Sequence, residues 1–271
     1  MIEIRNLTKY FKKKKVLDNL SIEIPIGITG VLGPNGAGKT TLFRCLIGTE
    51  KYSGNIDFQG EKKVGYLPQD FDCYHELTVK EAMDYISALK GDDGAENDRL
   101  IEETGLLSEK DKKVKKLSGG MKRRLGIAQA IIGHPKIVLM DEPTAGLDPE
   151  SRFHIRNLIS SIGTDASVVV SSHIASDLDA IADQMLFLDK GRIKYLGSRD
   201  KVLSSLEGKV FEVRMNREDY KKTDIPFLSV RWDGEYVTLR VVSADIVPKN
   251  GNPAAPNIED AYYYYVGQRS V

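Results

Sequence analysis

Cysteine is scarce in this chain of 271 residues: only Cys45 and Cys73 occur, so no disulfide framework is implied. Histidine is scarce too, and His75, His134 and His154 show no metal-ligand spacing; they read as structural or surface residues. Neither sign of charge is in excess, since lysine plus arginine and aspartate plus glutamate each total 39. That balance removes the basic surplus that a nucleic-acid partner calls for. No apolar run approaches the length of a membrane span, and the opening Met1-Ile2-Glu3-Ile4-Arg5-Asn6 lacks signal-peptide character. These absences point to a cytosolic protein with one sizeable core and a small addition. If it works at a membrane, the spanning part must be another chain.

What is present is glycine at telling places. Gly33-Pro34-Asn35-Gly36-Ala37-Gly38-Lys39-Thr40 follows the phosphate-gripping pattern G-x-x-x-x-G-K-[ST]. Gly33, Gly36 and Gly38 let the backbone turn tightly, so that successive N–H groups converge on phosphate oxygens. A helix expected from about Lys39 adds its positive end. Lys39 is expected to reach the β- and γ-phosphates and the Thr40 hydroxyl to sit on Mg²⁺, with Thr41 beside it. The flanks agree: Ile28 to Leu32 reads as a buried strand, and Thr41 to Ile47 as an amphipathic helix ending at Gly48. A plain glycine turn with an accidental lysine would not need that context.

Two further stretches follow in order. Leu117-Ser118-Gly119-Gly120 precedes a helical pattern, Met121 to Ile132, with apolar residues at 121, 125, 128 and 132. A helix start with a serine hydroxyl is an anion site, although such a tetrapeptide alone is more often a simple cap. Ile137-Val138-Leu139-Met140 is an apolar strand ending in Asp141-Glu142. An aspartate there can hold Mg²⁺ and the next glutamate can polarise an attacking water.

Together these motifs resemble the ATP-binding cassette of ABC transporters, and the resemblance runs from Met1 to about Ser198. It implies an α/β P-loop NTPase fold with an antiparallel β subdomain and a helical insertion, and an ATPase that uses ATP and Mg²⁺. Residues 33–40 match its P-loop, Leu117 to Gly120 its signature, and Asp141-Glu142 its acidic pair. Gln69, after Gly65-Tyr66-Leu67-Pro68, resembles the Q-loop glutamine that touches Mg²⁺ and the attacking water. Gly146-Leu147-Asp148 resembles the D-loop, and His173 in Val170-Ser171-Ser172-His173 the switch histidine that contacts the γ-phosphate. An aromatic residue of the family stacks on adenine; Phe11 has the spacing, with Tyr10 as the alternative. One position departs from the pattern, because Met121 stands where the signature has glutamine.

The resemblance also implies partners. Two ATPase subunits pair head to tail, each ATP lying between one P-loop and the other subunit's Ser118, Gly119 and Gly120. Integral-membrane permease subunits receive the motion near Gln69 to Leu77, which places the chain on the inner face of the cell membrane. Pro256-Asn257-Ile258-Glu259-Asp260-Ala261-Tyr262 resembles the ending of drug, peptide and polysaccharide exporter ATPases, so export is the expectation. The alternatives are an importer ATPase with a regulatory tail, and a soluble ABC ATPase acting on ribosomes or DNA.

Along the chain, residues 1–206 are read as the cassette, 73–133 as its helical insertion, and 207–271 as a small α+β extension. Asn55 to Phe58 and Val64 to Leu67 are expected to continue the N-terminal sheet, Thr78 and Glu81 to cap a helix to Leu89, and Asp92 to Leu117 to be mostly helical. Strand–helix alternation resumes at Ile137. In the extension, Phe211 to Met215 and Tyr236 to Val241 alternate as half-buried strands, and Asp245 to Pro256 is a loop. Asn257 to Asp260 caps a last helix whose Tyr262, Tyr263, Tyr264 and Tyr265 are expected to dock on the preceding strands.

Overall fold

The structure is a computed structural model that describes residues 1–60, 63–243, 248 and 250–267. The chain begins with strands β1 (Ile2–Phe11), β2 (Lys14–Ile24) and β3 (Gly27–Leu32), then helix α1 (Lys39–Leu46) and strands β4 (Ser53–Asp57) and β5 (Val64–Leu67). Helices α2 (Val79–Lys90), α3 (Asn97–Glu103) and α4 (Gly119–Ile131) come next. The alternating part runs β6 (Ile137–Asp141), α5 (Pro149–Ile162), β7 (Ser167–Ser172), α6 (Ala175–Asp179), β8 (Gln184–Asp189), β9 (Arg192–Ser198) and α7 (Arg199–Ser204). The tail holds β10 (Val210–Asn216), α8 (Arg217–Tyr220), β11 (Ser229–Asp233), β12 (Tyr236–Val242), β13 (Gly251–Pro253) and α9 (Ile258–Val266).

Among the described residues the strands form three sheets. The largest has the order β5-β6-β7-β3-β8-β9, parallel throughout except for β9. Both faces of its central strands are covered, which is why they read as continuous apolar runs, and side-chain alternation sorts each run into two cores. Ile137, Leu139, Val169, Leu186 and Leu188 join Phe43, Leu46 and the apolar residues of β1 and β2 on one face. Val138, Met140, Val168, Val170 and Phe187 join apolar residues of α2, α3 and α4 on the other.

Strand β4 lies in a separate antiparallel sheet, β2-β1-β4, whereas β5 is an edge of the large sheet. The two strands therefore do not continue one sheet. Thr78 and Glu81 form the expected capping box on α2. The stretch 92–117 is less helical than expected: α3 spans seven residues, and two single 3₁₀ turns follow at Leu107–Glu109 and Val114–Lys116. Left-handed Gly91 (φ 69°) ends α2 and left-handed Gly105 (φ 67°) follows the end of α3, while Gly94 (φ 71°) turns the link between the two helices. The Lys90 amine donates to the carbonyls of Gln129 at 2.5 Å and Ala130 at 3.4 Å, closing the C-terminal end of α4.

The tail forms a sheet in the order β11-β12-β10-β13. The expected loop from Asp245 falls partly outside the described residues. Helix α9 starts on an Asn257–Asp260 capping box, as its sequence suggested. It touches β12, and its tyrosines share a core with Val210 and Val242 of the tail strands, but their ring contacts reach into the larger sheet. Tyr262 and Tyr265 stack on Phe187 of β8 with ring centroids 5.6 and 6.2 Å apart, and Tyr265 also meets Tyr195 of β9 at 5.0 Å. The Tyr264 ring instead receives the Lys209 ammonium at 4.9 Å. The reason is apolar supply: Phe187 of β8 offers an apolar face, and the small tail core of Val213, Leu239 and Val241 is already covered by Tyr220 of α8 and Ile225.

Candidate functional site

The sheet order builds the site. Adjacent strands β5, β6, β7 and β3 deliver at their carboxyl ends, in turn, Gln69, Asp141-Glu142, His173 and the glycine loop. Gly36 and Gly38 of that loop have φ of 81° and 112°, and α1 begins directly after it. Gly33 is needed for a different reason: a Cβ there would lie 2.3 Å from the Leu188 carbonyl oxygen.

A cavity of about 410 Å³ is lined by the loop residues Pro34, Asn35, Gly36, Gly38, Lys39, Thr40 and Thr41, together with Gln69, Glu142 and Phe11. Its size suits a nucleotide. Larger hollows lie beside Tyr265 and beside Tyr85, and chemistry rather than volume singles this one out. Phe11 lines the cavity and Tyr10 does not; Tyr10 is turned toward Lys15, 5.6 Å from its ring. Replacing Phe11 by alanine is accordingly expected to weaken ATP binding by about 1–3 kcal/mol, as for other base–aromatic stacks, with the maximal turnover unchanged. Titration with a fluorescent ATP analogue checks this, and unaltered affinity would remove Phe11 from the adenine site.

The polar groups interlock. Lys39 donates to the Gly33 carbonyl at 2.7 Å and pairs with Glu142 Oε1 at 3.1 Å, while Glu142 Oε2 lies 2.6 Å from His173 Nδ1. Glu142 is itself left-handed, with φ of 48°, a conformation that costs a non-glycine residue about 1–3 kcal/mol. Its N–H is fixed by the Ser171 hydroxyl at 2.9 Å, and that hydroxyl donates onward to Asp141 Oδ1 at 2.6 Å. Asp141 is fully buried and its Oδ2 has no hydrogen-bond partner, which fits a carboxylate built to face a cation through water. Burial and the neighbouring Asp141 raise the Tyr66 phenol above its ordinary range, which keeps it neutral.

The signature residues lie apart from this cavity. Ser118 caps α4 by accepting from the Met121 N–H at 3.3 Å, and Ser118 and Gly119 are exposed. Gly120 is buried, where a Cβ would meet the Ser151 hydroxyl at 2.5 Å. Asp148 of the D-loop caps α5 through Ser151, whose N–H and hydroxyl hold its carboxyl below the usual carboxylate range. Two contributors escaped the sequence reading. Ser171 binds the Glu142 N–H and Asp141, and its only signal in the sequence is a hydroxyl at the end of an apolar run. Arg123 hid among the three successive cations Lys122, Arg123 and Arg124, yet it is buried.

A phosphate loop opening a helix from a parallel strand, with an acidic pair on the neighbouring strand ends, defines a P-loop nucleoside triphosphatase. A family model described as ABC transporter matches residues 17–145. An uncharacterized ABC transporter ATP-binding protein of Synechocystis sp. is 33% identical over 292 aligned positions, covering 97% of this chain and 82% of that protein. The lantibiotic transport ATP-binding protein SrtF of Streptococcus pyogenes is 35% identical over 203, covering 71% of this chain and 89% of its own. A solved structure of an ATP-binding subunit of an ABC transporter superposes with a TM-score of 0.68 at 25% identity, over 76% of this chain and 92% of that one. The chain belongs to the ATP-binding proteins of ABC transporters. It thus binds and hydrolyses ATP, as its family does, and no helix among the described residues is long and apolar enough to cross a membrane.

Proposed function

We propose that two copies of this chain pair head to tail and drive export through separate permease subunits. The observation that carries the pairing is the separation of the exposed Ser118 and Gly119 from the chain's own phosphate cavity. A second glycine grip that cannot reach its own nucleotide has a use on its neighbour's. In each site, residues 33–41 hold the phosphates, Phe11 supports adenine, and Glu142 takes the proton of the attacking water. His173 holds the Glu142 carboxylate and meets the γ-phosphate, and Gln69 orients the water. Mg²⁺ would be held by the Thr40 hydroxyl, Asp141 and Gln69, and would neutralise charge on the phosphate oxygens.

Export is supported by the transport role in SrtF's name and by the exporter-like Pro256 to Tyr262 segment. The permease contact we assign to a hollow of about 800 Å³ between Cys73 to Leu77 and Tyr85 and Ile86 of α2, on the inner face of the membrane. We divide the chain into a cassette, 1–206, carrying the 73–133 insertion, and an extension, 207–271.

Complementation tests the pairing. Lys39→Ala disables the P-loop, and Gly119→Asp disables the signature while leaving the subunit intact, because a Cβ at 119 meets nothing nearer than Leu147 at 4.0 Å. Each variant alone is expected to be inactive. Mixed in equal amounts they recover about a quarter of wild-type ATPase, because half the pairs are mixed and each carries one sound site. No recovery on mixing overturns the shared site.

A further inference from the structure

Arg123 has no place in the reading above, and its geometry is unusual. It lies on the inward side of α4 and is 8% exposed. Every hydrogen bond it makes among the described residues goes to a main-chain carbonyl. Nε donates to Pro143 at 3.0 Å; Nη1 donates to Pro68 at 3.0 Å and Gln69 at 2.7 Å; Nη2 donates to Asp141 at 3.1 Å and Glu142 at 2.5 Å. A guanidinium has five N–H donors, and here each is spent once. Burial lowers the pKa of the group, which at its ordinary value lies so high that the charge is kept.

The acceptors fall in two segments far apart in sequence. Pro68 and Gln69 belong to the turn after β5, whereas Asp141, Glu142 and Pro143 close β6. Strands β5 and β6 pair only as far as Leu67 and Met140, so beyond that register the sheet no longer fixes their separation. Arg123 takes over where the ladder stops. It also holds the carbonyl of Glu142, whose N–H is held by Ser171, so the left-handed peptide at that residue is clamped on both sides.

We propose that Arg123 is a positioning residue which fixes Gln69 against Glu142 and makes both follow helix α4. Because α4 begins at the signature, a pull on Ser118 and Gly119 by the partner's ATP is transmitted through this guanidinium to the hydrolytic residues of the subunit's own site. The proposal rests on the reading of Gln69 and Glu142 as residues that act on ATP.

The test is steady-state ATPase kinetics with amide hydrogen exchange on the full chain. Arg123→Lys keeps the charge but offers three donors for five carbonyls. Its kcat is expected to fall by about tenfold or more, the size of effect that small misplacements of reacting groups produce, while KM for ATP stays within about threefold. Exchange should rise together at 69–70 and 141–144 and stay unchanged at 36–40. Lys90→Met, which uncaps the other end of the same helix, serves as the stability control: it lowers the melting temperature without this kcat loss. Arg123→Met removes every donor; should it not fold, Arg123→Lys decides. The inference is overturned if Arg123→Lys keeps wild-type kcat, or loses no more than Lys90→Met. Glu142→Gln separates the two failures. If that variant is inactive while Arg123→Lys is fully active, only the present inference falls; if Glu142→Gln turns over normally, the underlying reading falls with it.

Discussion

Exchanging Glu142 for glutamine is expected to reduce ATP turnover by at least about a hundredfold, the scale of a lost general base, and to leave ATP bound. The amide fills the same volume between Lys39 and His173, so the buried pocket has no reason to collapse. What disappears is the negative charge able to accept a proton from water. Binding without hydrolysis should hold the two subunits closed on their nucleotides, because opening depends on losing the γ-phosphate. Light scattering after gel filtration in ATP and Mg²⁺ should therefore show a stable dimer, and phosphate release should be near background. A variant that hydrolyses ATP like the wild type and stays monomeric would sink the assignment.

The second large effect is expected at Asp260→Ala, and it concerns stability. Asp260 is fully buried, and it accepts from Arg240 Nε at 2.7 Å, Arg240 Nη2 at 2.5 Å and the Asn257 N–H at 2.8 Å. One carboxylate thus caps α9 and bolts it to β12. Removing one partner of such a pair leaves the other charge poorly solvated, at a cost of about 3–5 kcal/mol. Urea unfolding followed by far-ultraviolet circular dichroism measures it, with Asp260→Asn expected to lose less because it keeps one acceptor. A loss below about 1 kcal/mol, the value of an exposed pair, would show that α9 is held by its tyrosines alone.

The sequence disclosed most where function is local. A phosphate loop, an acidic pair and a histidine after an apolar strand are short motifs whose chemistry is decided by a few neighbouring residues, and Phe11 rather than Tyr10 lines the cavity as spacing favoured. What stayed hidden depends on partners distant in the chain. Arg123 resembles its solvated neighbours until β5 and β6 bring five carbonyls around it. The tyrosines of α9 announced that they must pack, but nothing nearby could tell that Phe187 and Tyr195, some seventy residues earlier, would receive them. Charge misled over 92–117, where a polar composition suited helix while Gly94 and Gly105 broke it.

The docking of α9 on β8 also bears on how the tail can be exchanged. Leu188, the neighbour of Phe187, lends its carbonyl to the close packing against Gly33, so the strand that receives the last helix also walls the phosphate loop. Cutting the chain at 206 would take Tyr262 and Tyr265 off Phe187 and Tyr195 and thin the cover of that strand. A graft that exchanges the tail between relatives must therefore match Tyr262 and Tyr265 to Phe187 and Tyr195.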